Sequence, residues 1–298
     1  MSQRPNTRHP QITQAMIEAY DEYTHLTLDR RGFMERLRCL AGSAAAAGAI
    51  LPLLQANGAM ASVVAPDDSR VVSEEVSFPG ATGEMKGYLV RPAGDTDKLP
   101  AILVVHENRG LNDHIRDITR RLAVAGYMPM AVDFLSADGG TPADEDKARQ
   151  MIRALEAENT LHNGKEAIAY LANRDDSTGA VGAIGFCWGG QLVNNLAVVS
   201  PELKAVVSYY GRQPETTLVP QISAALLLHY AGLDDRINSG IDDFRSALED
   251  NGKEFTIYMY DGVNHAFNND TSQARYNKEA ADLAWSRTLD FFKEKLKA

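Results

Sequence analysis

Cysteine is scarce in this chain: Cys39 and Cys187 are the only two among 298 residues. Neither belongs to a CxxC pair or to a Cys/His cluster of zinc spacing, which argues against a disulfide framework and a thiolate-rich structural metal site. Basic residues are in deficit, with 30 Lys and Arg against 40 Asp and Glu and a formal net charge of -10. With no polybasic stretch, nucleic acid and anionic membrane are not expected as main partners. Long apolar runs are missing as well. The most apolar stretch, Leu40 to Leu54, is short, rich in alanine and glycine, and interrupted by Pro52, which disfavours a stable membrane span in the mature form.

What is present is an ordinary globular composition, 44% hydrophobic and 23% charged, at a length near the upper limit for one compact domain. The N-terminal region stands apart. Leu28-Asp29-Arg30-Arg31-Gly32-Phe33-Met34 sets two arginines before an aromatic residue, the apolar stretch follows, and Ala59-Met60-Ala61 offers small residues at signal-peptidase spacing. Together these resemble a bacterial twin-arginine signal. Residues 1–61 are therefore expected to be an export leader and 62–298 the globular domain, with cleavage after Ala61 or Ala65. The expected location is the periplasm, or the cytoplasm if the leader is retained. The alternative is an amphipathic helix that stays and packs, with Arg30 and Arg31 solvated.

Beyond the leader, strand and helix patterns alternate. Val71–Phe78 and Met85–Val90 read as an antiparallel hairpin, and Ala101–Val105 as a strand buried on both faces. Further strands are expected at 128–132, 181–186, 205–209, 224–229 and 255–260. Helices are expected at 112–125, 143–158, 161–172, after Gly189, at 241–249 and at 278–295. This alternation predicts an α/β fold with a mostly parallel central sheet and helices on both faces.

Gly185-Phe186-Cys187-Trp188-Gly189-Gly190 is the most informative segment. It matches the G-x-nucleophile-x-G elbow of α/β-hydrolases, with cysteine where serine is commonest. The chemistry needs a sharp strand-to-helix turn that presents the nucleophile. A helix N-terminus beside the sulfur favours the thiolate. The bland alternative is a glycine-rich turn in which Cys187 merely packs.

A thiol nucleophile works with a base, and the base with an acid that fixes its tautomer. In this fold they follow in the order nucleophile, acid, histidine. Asp234 follows a strand and precedes Ile237 by three residues, so it is preferred over its neighbour Asp235. His265 lies in a loop after the last strand. Of the other histidines, His9 and His25 fall in the leader, and His114 and His162 suit the solvated surface of helices. His229 suits a satisfied near-core position, and His106 lines the site without acting as base. The loop His106-Glu107-Asn108-Arg109-Gly110 is expected to supply one oxyanion-hole amide, that of Asn108, and Trp188 the other.

These segments, with Tyr209-Tyr210-Gly211, Gly232-Leu233-Asp234 and Gly262-Val263-Asn264-His265-Ala266-Phe267, resemble the dienelactone hydrolase (carboxymethylenebutenolidase-like) family from about Val71 onward. The resemblance implies cleavage of a small-molecule ester or lactone through a thioester, without a cofactor or metal. It also implies that Glu107 contacts the thiol and is displaced on substrate binding. The family carries a carboxylate-binding arginine four residues after the histidine, and Asn269 stands there instead. Arg149, Arg212 and Tyr210 are the other candidates for substrate contact. Two different classes compete with the hydrolase: a non-catalytic binding protein of the same fold, and a thiol redox protein, which the absence of a resolving cysteine disfavours.

Overall fold

The computed structural model describes residues 11–55 and 62–297. Two compact units divide the chain. The smaller joins the region up to Met60 with the distant segment Asn269–Tyr276, and the larger holds Ala61–Asn268 and Asn277–Ala298. Nothing in the sequence announced that 269–276 belongs with the N-terminal helices. The proposed cleavage point at Ala61 lies outside the described residues.

Three helices make up most of the smaller unit: α1 (Gln14–Thr24), α2 (Arg30–Ala41) and α3 (Ala44–Leu54). Asp29 caps α2 by accepting from Gly32 N at 2.7 Å, and Ser43 caps α3 by accepting from Ala46 N at 3.1 Å. Their apolar faces meet around Tyr20, Tyr23, Phe33, Leu37, Ile50 and Leu54. Tyr23 and Phe33 stack with ring centroids 4.8 Å apart. Arg30 and Arg31 are exposed in the first turn of α2. Among the described residues no single helix is long and apolar enough to cross a membrane, although α2 and α3, bent by 112°, meet that test as a pair.

The larger unit is built on eight strands: β1 (Val71–Pro79), β2 (Glu84–Pro92), β3 (Leu99–Val105), β4 (Met128–Asp133), β5 (Ser177–Phe186), β6 (Leu203–Tyr209), β7 (Ala225–Ala231) and β8 (Phe255–Tyr260). They form one sheet in the order β1-β2-β4-β3-β5-β6-β7-β8. β1 and β2 pair antiparallel, as does β2 with β4, and every other pairing is parallel. The expected opening hairpin and parallel sheet are both present.

Helices cover both faces, because the strands are apolar on both. On β3, Leu103 and Val105 face one core with α6 (Ala157–Ala172), α7 (Trp188–Val199) and α9 (Ile241–Asp250). Ile102 and Val104 face the other, with α4 (Asp113–Val124) and α10 (Lys278–Leu296). The helix expected over 143–158 is shorter. It is α5 (Glu145–Ala154), and the chain is extended at Leu155 and Glu156 before α6 begins. Leu155 is half-buried against the core at this break, a tertiary contact that competes with a continuous helical pattern.

A candidate active site at the strand ends

In a parallel sheet all C-terminal strand ends lie along one edge, and the loops that leave them converge there. Cys187 follows β5 directly, Asp234 lies three residues beyond β7, His265 five beyond β8, and Glu107 two beyond β3.

The elbow is the sharp strand-to-helix turn that the sequence predicts, and its backbone is strained. Cys187 has φ +56° and ψ -113°, a region L-residues rarely occupy. The turn is held by Cys187 N donating to Tyr209 O at 3.0 Å, and by Gln191 N donating to Cys187 O at 3.0 Å. Its glycines are sterically required. A Cβ on Gly185 would lie 2.1 Å from Gly189 O, and one on Gly189 would lie 2.5 Å from both Val105 O and His106 O. The Cys187 side chain sits at the N-terminus of α7 with the residue 9% exposed.

His265 Nδ1 lies 2.5 Å from Asp234 Oδ2, both residues being buried. This contact orients the other ring nitrogen, Nε2. The Cys187 sulfur lies within 4.8 Å of an imidazole nitrogen of His265. The structure thus brings the three residues together. Asp235, the competitor for the acid, is exposed at the start of the short helix α8 (Asp235–Asn238), which Asp234 caps by accepting from Ile237 N at 3.4 Å.

The chain belongs to the dienelactone hydrolase family. The family's model, described as "Dienelactone hydrolase family", matches residues 85–296. A provisionally named carboxymethylenebutenolidase of Escherichia coli O157:H7 is 30% identical over 248 residues, covering 78% of this chain and 90% of its own. The hydrolase fragment YghX of Escherichia coli K12 is 44% identical over 113 residues, which are 37% of this chain and 97% of the fragment. The crystal structure of a provisionally assigned dienelactone hydrolase from Klebsiella pneumoniae subsp. pneumoniae MGH 78578 superposes with a TM-score of 0.69 at 28% identity. It covers 75% of this chain and 99% of that one.

The remaining residues of this dienelactone hydrolase family member fall into two groups. Some frame the site. His106 is fully buried, with Nδ1 donating to Glu107 O at 2.7 Å and Nε2 accepting from Phe134 N at 3.3 Å. Burial lowers its pKa, so the ring is held neutral. It also stacks on Trp188 at 5.3 Å, tying the loop after β3 to the elbow. That loop turns at Gly110, with φ +75°, and is braced by Leu111 N donating to Thr141 Oγ1 at 2.9 Å and Thr141 Oγ1 donating to Asp133 Oδ1 at 2.8 Å. Glu107 is buried and Asn108 half-buried.

Others are the four candidates for substrate contact and the two helix histidines. Tyr210 is fully buried at φ +39°, and its hydroxyl donates to Asn268 Oδ1 at 2.5 Å. Its ring centroid lies 4.7 Å from that of His265. Asn269 is fully buried, and its Oδ1 accepts from Thr271 N at 3.1 Å and Thr271 Oγ1 at 2.7 Å. Arg149 is buried on α5, paired with Asp146 and, at 3.5 Å, with Glu145. Arg212 alone of the four substrate-contact candidates is exposed. His114 is a correction: expected on a solvated face, it is buried in the first turn of α4. His162 is exposed as expected, 3.6 Å from Glu166. Sequence reasoning missed Tyr210 as a neighbour of His265, because its positive φ and its partner Asn268 leave no local signature.

Proposed function

We propose that this hydrolase cleaves a small carboxylic ester or lactone with Cys187 as nucleophile, His265 as base and Asp234 as the group that orients and stabilises the imidazolium. One observation carries the reading. A cysteine in a strained strand-to-helix turn has its sulfur within 4.8 Å of an imidazole whose Nδ1 is held at 2.5 Å by a buried carboxylate. Such contacts are commonly loose without substrate and tighten in the reactive complex.

In the proposed reaction His265 takes the thiol proton as sulfur attacks the carbonyl carbon. The negative oxygen that forms is stabilised by the backbone N–H groups of Asn108 and Trp188. Collapse of this intermediate breaks the carbon–oxygen bond, and the leaving alkoxide takes the proton from His265. In a lactone that alkoxide remains attached to the acyl chain. Water then gives a proton to His265 and attacks the thioester. The acid departs and the sulfur recovers its proton. Glu107 acts in this reading as the switch that governs the thiolate. Tyr210 is better cast as a support for His265 than as a substrate contact, since its burial and hydroxyl partner suit that task.

The test is hydrolysis of a small chromogenic ester by the wild type and by Cys187→Ala. Turnover surviving the substitution would remove the proposed nucleophile. Lactones with and without a carboxylate, assayed on wild type and Arg212→Gln, establish whether a negative group on the substrate is recognised at that exposed arginine.

A further inference from the structure

The family model begins at residue 85, so helices α1–α3 lie outside it. Within the smaller unit these helices share a core that Ala274 of the distant segment packs against. The neighbouring Arg275 is only 5% exposed. Its Nη1 lies 3.6 Å from Asp21 Oδ1, its guanidinium carbon 5.3 Å from the centroid of Tyr20, and its Nε donates to Ser272 Oγ at 3.1 Å. A buried cation thus meets a carboxylate and an aromatic face from α1 and a hydroxyl from its own segment. Removing one partner of such a pair leaves a desolvated charge behind, so the arrangement is costly to break.

The segment holding Arg275 is an excursion from the loop that carries His265. It departs after Asn268, the residue that receives the Tyr210 hydroxyl. It returns at Asn277, whose N–H donates to Phe267 O at 2.9 Å and whose side chain caps α10 by accepting from Ala280 N at 3.0 Å. Its two ends are therefore pinned together two residues beyond the imidazole.

We propose that Arg275 is a positioning residue for His265, acting along the chain through the 269–276 excursion, and that α1 is a resident part of the enzyme that holds this excursion through Asp21 and Tyr20. This rests on His265 being the base. It also requires the N-terminal region to remain on the functional protein, in place of its removal as an export leader.

The experiment uses the full chain in a Cys39→Ser background, because Cys39 is exposed and would react with thiol reagents. Asp21→Asn, Arg275→Gln and the double variant are compared with the parent by kcat on a chromogenic ester. The pH dependence of Cys187 alkylation by iodoacetamide is followed alongside, as a report on the imidazole beside the sulfur. Each single change is expected to lower kcat about 10-fold with little change in KM and to move the alkylation profile, the double variant being no worse than either single. His25 Nδ1 also lies 3.3 Å from Asp21 Oδ2, so agreement between the two singles is what isolates the arginine contact. Should the charge variants fail to fold, Arg275→Lys, which keeps the charge but loses the planar guanidinium over the Tyr20 ring, is read the same way. Unchanged kcat and an unchanged alkylation profile in folded variants overturn the proposal. So does an intact mass showing that the native functional protein begins at or beyond residue 62. Alkylation needs no turnover, so a failure of this positioning role is distinguishable from a failure of the ester-hydrolase reading.

Discussion

The Tyr210 ring lies against the His265 ring at 4.7 Å, tilted by 55°, while its backbone N–H donates to His229 O at 2.7 Å. The residue holding the imidazole is thus itself anchored to the end of β7, the strand that leads to Asp234. Tyr210→Phe keeps the ring and leaves Asn268 without the phenol. It is expected to lower kcat several-fold and stability by about 1 kcal/mol. Steady-state kinetics and urea unfolding on the same preparation check both.

Asp234 and Asp235 are adjacent in sequence and opposite in environment, one buried on His265 and the other exposed. Asp234→Asn should reduce kcat by roughly 10²- to 10⁴-fold through loss of the correct tautomer. Asp235→Asn should change it less than about twofold, as surface substitutions away from such features usually do. Equal effects of the two changes would count against the assigned acid.

Gly189 has no room for a side chain, since a Cβ would press on the backbone oxygens of Val105 and His106 at 2.5 Å. Backbone cannot rotate away as a side-chain tip can. Gly189→Ala should therefore destabilise by about 3 kcal/mol and displace the elbow. A thermal melt within a degree of wild type would contradict this close approach.

Glu107 is buried on the loop that follows β3. Replacement by glutamine keeps the shape and removes the charge. Glu107→Gln should leave the far-ultraviolet circular dichroism unchanged but alter the pH dependence of Cys187 alkylation. An unchanged alkylation profile would remove the switch.

His229 is buried between Tyr260 and Thr288, with Nδ1 2.9 Å from the Tyr260 hydroxyl and Nε2 3.2 Å from Thr288 Oγ1. Burial, aided by the nearby Arg287 charge, pushes its pKa down to about 3. Above the ordinary pKa near 6.5 the ring is neutral whether folded or unfolded, and it adds no pH dependence. As pH falls below that value only the unfolded chain takes up the proton, so stability is lost progressively down to about pH 3. Between pH 7 and 5 the loss is about 2 kcal/mol for this one group. His229→Gln should shrink the difference between urea unfolding energies at those two pH values by that amount.

The order of elements was legible because each uses a local rule. Continuous apolar runs such as Ala101–Val105 make doubly covered strands, and the glycines about Cys187 permit only a sharp turn. The break at Leu155 was not legible, because it depends on a core contact that neighbouring residues do not encode. His114 was misjudged for the same reason: its position in a helix says nothing about which neighbouring layer covers it.

By itself the sequence determined the chemistry on offer: a cysteine elbow, an acid and a histidine in hydrolase order, and a glutamate after the first parallel strand. Only the tertiary structure decided which carboxylate meets the imidazole, that Tyr210 backs it, and that a segment after residue 268 belongs with the N-terminal helices. The physical reason is distance along the chain. Turn geometry and strand periodicity act over a few residues, whereas Asp234 and His265, or Asp21 and Arg275, meet only after the chain has folded and distant segments have been brought together.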